Sequence, residues 1–231
     1  MSLDAALVCA AIGLVSGAGV PRMIAALPEP EPDPDENPDD FPDKVLYADV
    51  AASRGLVWGS AVACAVAGGL IGLTLGWTWL LPALLLLVPV CCALTVVDWR
   101  TWFLPTRIVM PAMTATVLLV AIETAAAGDW GILWRAAVGW AVLGGYYGLM
   151  WFISPRIMAF GDVRLGALLG LVLGPLGWGA LILSAVGAGL IGAFALLPMR
   201  RAGLMIKRHA PFGPFLVLGA LVAVLVAGLA A

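Results

Sequence analysis

Charged residues are scarce in this sequence. Asp, Glu, Lys and Arg make up only 11% of the 231 residues, there is a single histidine, and 63% of the chain is hydrophobic. Soluble domains carry about 25% charged residues, so this composition excludes an ordinary soluble domain. The net charge of −2 provides no basic surface for nucleic acid, and we expect no nucleic-acid partner. The composition predicts a protein that crosses a lipid bilayer several times.

Metal-binding patterns are also missing. The four cysteines all lie within apolar runs, and no two of them have the CxxC spacing that zinc sites use. We therefore predict no metal site. The thiols are expected to be small buried side chains that pack like other apolar groups.

Long apolar runs fill most of the chain, and eight of them are candidates for membrane spans. A span needs about 20 mostly apolar residues. The predicted fold class is therefore all-α: a polytopic transmembrane helical bundle of about eight spans, with both termini outward. The sixth run is short, so it either extends at its start or forms a re-entrant pair with the seventh. The runs are 3–27, 56–76, 79–97, 106–127, 131–153, 164–175, 177–198 and 212–230.

Basic residues are distributed unevenly between the two sets of loops that these spans define. One set comprises 28–55, 98–105, 154–163 and 199–211, and with the adjoining span ends it contains every Lys and Arg except Arg135. The positive-inside rule places that set of loops in the cytoplasm. The chain is thus predicted to be a multi-pass membrane protein with a basic cytoplasmic face.

One segment, "PEPEPDPDENPDDFPD" at 28–43, is unlike the rest of the chain. It contains six prolines and eight acids, and we expect it to be extended and solvated because proline lacks an N–H donor and like charges repel. The predicted organisation is a first transmembrane span at 1–27, an acidic Pro-rich cytoplasmic loop at 28–55 and a membrane domain at 56–231. The acidic segment is either a plain linker or a tether for a basic ligand.

Two of the remaining carboxylates lie at the cytoplasmic edge of predicted spans. Asp98 ends the third run and Asp162 begins the sixth, and an ionisable residue in such a place is a candidate functional residue. Each has an arginine two residues later, Arg100 or Arg164, so one interpretation is a pair of structural ion pairs. The other is a carboxyl pair of the aspartic-protease kind, in which one acid is ionised and its partner protonated. A third acid, Glu123, lies near the outer end of a span, where its carboxylate can reach water.

The residues beside the two acids suit peptide-bond chemistry. Gly161 directly precedes Asp162, and a glycine lets a substrate backbone approach closely. Pro105 follows the loop after Asp98 and is expected to set the start of the next helix. Both acids are therefore predicted to lie at defined turns.

Three stretches of the sequence, in this order, resemble the type IV prepilin peptidases, which are membrane aspartyl peptidases of the GxGD type. The first resembles that family's initial Asp segment with its Leu-Pro, the second its GxGD followed by Val-Lys-Leu, and the third its Pro-Phe-Gly-Pro-Phe. This chain has Ala159 in place of the motif's first glycine and Arg164 in place of its lysine. The stretches are "VVDWRTWFLPTRIV" (96–109), "MAFGDVRLGALLG" (158–170) and "APFGPFLVLGA" (210–220).

The resemblance implies an endopeptidase that removes the short basic leader from a pilin-like precursor. It would act at the cytoplasmic face of the plasma membrane of a prokaryote, with Asp98 and Asp162 as catalytic acids and no cofactor or metal needed for cleavage. Its partners would be the precursor, with its basic leader and apolar helix, and the lipid bilayer. The motif positions expected to position the substrate are Arg100, Pro105, Ala159, Phe160, Gly161, Arg164, Pro211 and Gly213.

The same family also N-methylates the newly exposed N-terminus with S-adenosylmethionine. Many members carry two CxxC pairs in the loop after the first span, whereas this chain has the acidic segment there. S-adenosylmethionine is therefore expected as a cofactor only if this second activity is retained.

Two functions of other classes remain open from the sequence. One is a proton-coupled membrane carrier in which Asp98 and Asp162 relay protons, and the other is a catalytically inactive assembly partner of a pilus or secretion system. A GxGD protease of the presenilin or signal-peptide-peptidase kind is disfavoured, because Val97 stands where those proteins have Tyr.

Overall fold

The computed structural model describes residues 1–29, 45–154, 158–201 and 211–230, and this part of the chain folds into helices only. The predicted all-α class is confirmed. The helices are α1 (Leu3–Gly17), α2 (Val20–Ala25), α3 (Tyr47–Ala51), α4 (Leu56–Leu75), α5 (Leu81–Thr101), α6 (Thr106–Ala127), α7 (Trp130–Ile153), α8 (Phe160–Leu173), α9 (Trp178–Arg201) and α10 (Gly213–Ala230).

Seven segments of the described chain are long and apolar enough to cross a membrane. The first combines α1 and α2, and the others coincide with long single helices. The predicted polytopic bundle is confirmed in this respect. The segments are Leu3–Ala25, Leu56–Leu75, Leu81–Thr101, Thr106–Ala127, Trp130–Ile153, Trp178–Ala195 and Gly213–Ala230.

The short sixth apolar run forms α8, which begins at Phe160, four residues before the predicted start at 164. Its 14 residues span about 21 Å, less than the hydrocarbon core of about 30 Å. α8 runs antiparallel to α7, because Gly148 approaches Val163 near one end of the pair and Gly139 approaches Gly174 near the other. α8 is therefore a separate short helix that runs back along α7. Its residues from Leu165 to Leu173 are buried among the neighbouring helices.

Close approach of backbones holds the bundle together in three helix pairs, α1 with α4, α7 with α8, and α9 with α10. A Cβ at Gly13 would lie 2.2 Å from the carbonyl oxygen of Cys64, and one at Gly170 would lie 2.2 Å from that of Gly139. Membrane helices associate through such small residues, because lipid offers no hydrophobic driving force between them.

The last part of the predicted cytoplasmic loop 28–55 contains the short helix α3. Tyr47 and Val50 of α3 are buried, and α3 packs on α2 and α5. The carboxylate of Glu29 accepts hydrogen bonds from the backbone N–H groups of Tyr47, at 2.9 Å, and Ala48, at 3.0 Å. These contacts fix both ends of the acidic segment to the membrane domain, while residues 30–44, where the extended conformation is predicted, lie outside the described residues.

Candidate active site

Asp98 lies in the last turn of α5 and is only 4% exposed. The helix ends three residues later, and Trp102 adopts a left-handed backbone conformation, with φ of 54°, that donates its N–H to the Asp98 carbonyl at 2.9 Å. Pro105 is buried and forms the N-cap of α6. As predicted, this proline marks where the next helix begins, so the chain reverses direction within a few residues of Asp98.

The amino end of α10 holds the Asp98 carboxylate. The backbone N–H of Gly213 donates to Asp98 Oδ2 at 2.9 Å. A Cβ at position 213 would lie 2.8 Å from the same oxygen, so only glycine allows this contact without displacing the carboxylate. An acid at the C-terminus of its own helix is disfavoured by the helix dipole, whereas the N-terminus of α10 attracts it. Pro211, buried just before the helix, leads the chain to this contact.

Asp162 is the third residue of α8, where a carboxylate can satisfy an unpaired N–H of the first turn. Its Oδ2 accepts a hydrogen bond from the backbone N–H of Ala159 at 3.1 Å. The residue is 4% exposed, and its Oδ1 has no hydrogen-bond partner among the described residues. Asp162 therefore has one oxygen fixed by the helix and a second oxygen available for chemistry.

Ala159 and Gly161 explain how the altered motif keeps its geometry. Ala159 has φ of −78° and ψ of 153°, an extended conformation that any residue adopts, so a glycine is not needed there. Gly161 is needed for space, because its Cβ would lie 2.8 Å from the Cβ of Leu104. Leu104 belongs to the loop after Asp98, so this contact joins the two segments that carry the acids.

The segments that carry the two acids meet, because Leu104 of the loop after Asp98 packs against Gly161, the residue before Asp162. No arginine neutralises them: among the described residues the ion pair within 4 Å is Arg135 with Asp129, far from either acid in the chain. The structural ion-pair interpretation is therefore wrong for the described part of the protein. What remains is a buried pair of carboxyl groups, each fixed by one backbone N–H.

The two arginines of the motifs make other contacts. Arg100 is exposed at the end of α5. Arg164 donates to the hydroxyl of Thr106, and its guanidinium lies 4.6 Å from the ring centroid of Phe160. Phe160 in turn packs against Trp151, with ring centroids 5.1 Å apart. These contacts pack the start of α8 against α6 and α7.

Sequence reasoning missed that three further side chains, Thr95, Glu123 and Tyr147, each have a buried polar atom without a partner among the described residues. The hydroxyl of Tyr147 and one carboxylate oxygen of Glu123 are buried without a partner among the described residues. Glu123 is only 7% exposed. Its side chain is therefore buried, whereas the sequence predicted a carboxylate that reaches water. Tyr147 carried no sequence signal, since a tyrosine within a span is ordinary.

A curated relative connects this site to a known activity. The prepilin leader peptidase/N-methyltransferase of Stutzerimonas stutzeri is 30% identical to the chain over 170 residues. The chain is similar to the prepilin leader peptidases. The match takes in 71% of this chain and 56% of the relative, so the chain spans little more than half of the relative's length. No family model matches the chain, and no solved structure matches it.

The similarity to a prepilin leader peptidase confirms the resemblance drawn from the three sequence stretches. It is consistent with the multi-pass membrane fold, since the described chain has seven helices able to cross a bilayer.

Proposed function

We propose that this chain is an aspartic endopeptidase that removes the short basic leader from type IV prepilin-like precursors at the cytoplasmic face of the membrane. The observation that carries the proposal is the pair of buried acids, Asp98 and Asp162, held at helix ends by the N–H groups of Gly213 and Ala159. A buried carboxyl pair without a basic partner is the arrangement that aspartic proteases use to activate water.

The chemistry follows from one proton shared between two carboxyl groups. The ionised acid takes a proton from water as the water oxygen attacks the carbonyl carbon of the scissile bond. The protonated acid donates to the amide nitrogen, the C–N bond breaks, and the leader leaves with a free carboxylate. Each turnover leaves the proton on the acid that was ionised, its return to the other acid restores the starting state, and the pair titrates as a unit. The reaction involves no covalent intermediate.

The position of the acids suits a substrate that combines a basic leader with an apolar helix. Both acids lie at the end of the bundle that the positive-inside rule assigns to the cytoplasm. The helix of the precursor would remain in the bilayer beside the bundle, while its leader meets the acids at the membrane boundary. The basic leader and the acidic segment 28–43 carry opposite charges, and such attraction speeds encounter in a salt-dependent way.

Methylation of the new N-terminus is a separate proposal that the described residues do not support. The cavities of ≈ 910 Å³ beside α1 and α5 and of ≈ 290 Å³ between α4, α5, α8 and α10 are lined almost entirely by apolar side chains. Neither offers an acidic group for the ribose hydroxyls or the sulfonium of S-adenosylmethionine. The described residues therefore do not fit this cofactor, and we derive no step from it.

Co-expression with a prepilin that carries a basic leader tests the proposal. We expect the wild-type chain to shorten the precursor, and Asp98→Asn and Asp162→Asn each to leave it uncut. The N-terminal mass of the product identifies the cleaved bond and reports any added methyl group. Uncut precursor with every variant, over several precursors, would contradict the peptidase and favour a carrier or an inactive assembly partner.

A further inference from the structure

Tyr147 of α7 has a buried hydroxyl group without a partner. The residue is 2% exposed, and no atom of the described residues forms a hydrogen bond with its Oη. A buried tyrosine hydroxyl normally finds a partner, because leaving it unpaired forfeits the hydrogen bonds it makes in water. A hydroxyl kept in such a place requires an explanation.

The ring of Tyr147 lies against the helix that carries Asp162. A Cβ at Gly166 of α8 would lie 2.2 Å from Cδ2 of this ring, so the glycine provides the space that the ring occupies. Gly166 follows Asp162 by four residues, and residues four apart share one face of a helix. Tyr147 therefore packs on the face of α8 that also presents the acid.

One carboxylate oxygen of Asp162 also lacks a hydrogen-bond donor among the described residues. Its Oδ2 is held by Ala159, whereas its buried Oδ1 has no partner among the described residues. The Tyr147 hydroxyl, a donor, and Asp162 Oδ1, an acceptor, thus both lack partners among the described residues where α7 packs on α8.

We propose that Tyr147 is a positioning residue for the peptidase reaction, whose hydroxyl donates to Asp162 Oδ1 through one water. The inference rests on the proposed function. With this contact Asp162 would receive hydrogen bonds on both oxygens, which stabilises its ionised form. Asp162 is then the acid that takes the proton from water, and Asp98, with Gly213 as its one donor among the described residues, is the acid that protonates the leaving nitrogen.

The test compares Tyr147→Phe with Tyr146→Phe in the purified full-length chain, with a prepilin as substrate. Phe at 147 keeps the ring on Gly166 and removes only the hydroxyl. The neighbouring Tyr146 is 45% exposed and packs edge-on against Tyr147 with ring centroids 4.9 Å apart, so it is a matched control. We expect kcat to fall about ten-fold in Tyr147→Phe, the loss typical of a hydrogen bond to a charged group. KM and the unfolding temperature should stay near wild type, and Tyr146→Phe should leave kcat unchanged.

Two results would overturn the inference. One is a wild-type kcat in Tyr147→Phe, and the other is a loss of kcat that Tyr146→Phe reproduces or that a lower unfolding temperature accompanies. Asp98→Asn and Asp162→Asn in the same assay separate this inference from the proposed function. If either Asn variant still cleaves, the proposed dyad fails; if both are inactive and Tyr147→Phe is normal, only the role of Tyr147 fails.

Discussion

At the scale of single residues, the glycines of the motifs act through the space they leave rather than through unusual torsion angles. Gly161 admits Leu104, and Gly213 admits the carboxylate of Asp98. Ala159 has an ordinary extended backbone, and it contributes only its N–H to Asp162. The change from GxGD to AFGD is therefore compatible with an intact site, because the side chain at 159 is not part of the contact.

Gly213→Ala tests this account at the most constrained of these positions. The added Cβ would lie 2.8 Å from Asp98 Oδ2, so the carboxylate has to move. A misplacement of about 1 Å in a catalytic group can cost about 100-fold in rate, and we expect kcat for leader cleavage to fall by about 10- to 100-fold. Gly59→Ala, with nothing within 4 Å of the added Cβ, is the matched control and should retain full activity. Equal rates for the two variants would show that Asp98 does not depend on this contact.

The two acids and the motif residues that hold them, Gly213 and Ala159, were predictable from the sequence, whereas the buried Tyr147 beside them was not. Acids are so rare in apolar runs that Asp98 and Asp162 are conspicuous from their position alone. Tyr147 became a candidate only through its burial and its missing partner, which depend on how helices distant in sequence pack. The arginines were misleading for the same reason: Arg164 lies two residues from Asp162 in sequence, yet on a helix its side chain points to another face and contacts Thr106.

At the scale of secondary-structure elements, the short helix α8 determines where the site lies. It is about 21 Å long, and its far end turns into α9 beside Arg135 and Ala136 of α7. A helix that returns to the outer side but is shorter than the bilayer begins below the membrane surface. In the predicted orientation, Asp162 would therefore be recessed from the cytoplasmic boundary. The sequence misplaced the start of α8 because the charged residues of "FGDVR" suggest a loop, although Asp162 satisfies the first turn of the helix.

Contact between the backbones of α7 and α8 is the element-scale feature that fixes Asp162. A Cβ at Gly139 would lie 2.2 Å from the Gly170 carbonyl oxygen. Gly139→Ala should therefore force the helices apart, destabilise the protein by at least about 1–3 kcal/mol and reduce cleavage. Gly145→Ala, on the same helix with nothing within 4 Å, should be neutral or slightly stabilising. Thermal unfolding in detergent measures both, and a Gly139→Ala variant as stable as Gly145→Ala would rule out the close packing.

At the scale of the whole molecule, aromatic residues mark both boundaries of the bundle. Tryptophans exposed by 62–77% follow or begin the helices at the predicted outer side, as the aromatic belts of membrane proteins do. Trp99 and Phe103 are exposed at the opposite end, beside Asp98. These belts mark the two interfaces without distinguishing them, so the predicted orientation rests on the charge asymmetry of the loops. The outer tryptophans are Trp77, Trp79, Trp130, Trp134 and Trp178.

Cysteine labelling in intact cells tests this orientation. Phe103 and Trp130 are 53% and 77% exposed at opposite ends of α6 and its flanking turns. We expect a membrane-impermeant maleimide to label Trp130→Cys before lysis and Phe103→Cys only after lysis. Three native thiols are buried and Cys92 is half-buried, so wild type gives the background. The reverse pattern would place the acids on the outer face and contradict cleavage of a cytoplasmic leader.

Much of the architecture was predictable, because bilayer thickness imposes both the length and the composition of spans. The approximate bounds of the long helices, from α4 to α7, followed from the apolar runs. The folding of α3 onto α2 and α5 did not, since Tyr47 and Val50 lie in a segment too short to show a period. The pairing of α7 with α8 through glycine contacts was not predictable either, because glycines in a sequence do not indicate which helices pack together.

The central claim is that Asp98 and Asp162 together perform the cleavage. The most direct measurement is the cleavage rate of a purified prepilin by the purified wild-type chain, Asp98→Asn, Asp162→Asn and Glu123→Gln. Glu123 is also a buried acid, so its variant controls for the removal of a carboxylate from the bundle. The account predicts that both Asn variants lose cleavage while Glu123→Gln retains it. Cleavage by either Asn variant at a rate near wild type would contradict the dyad.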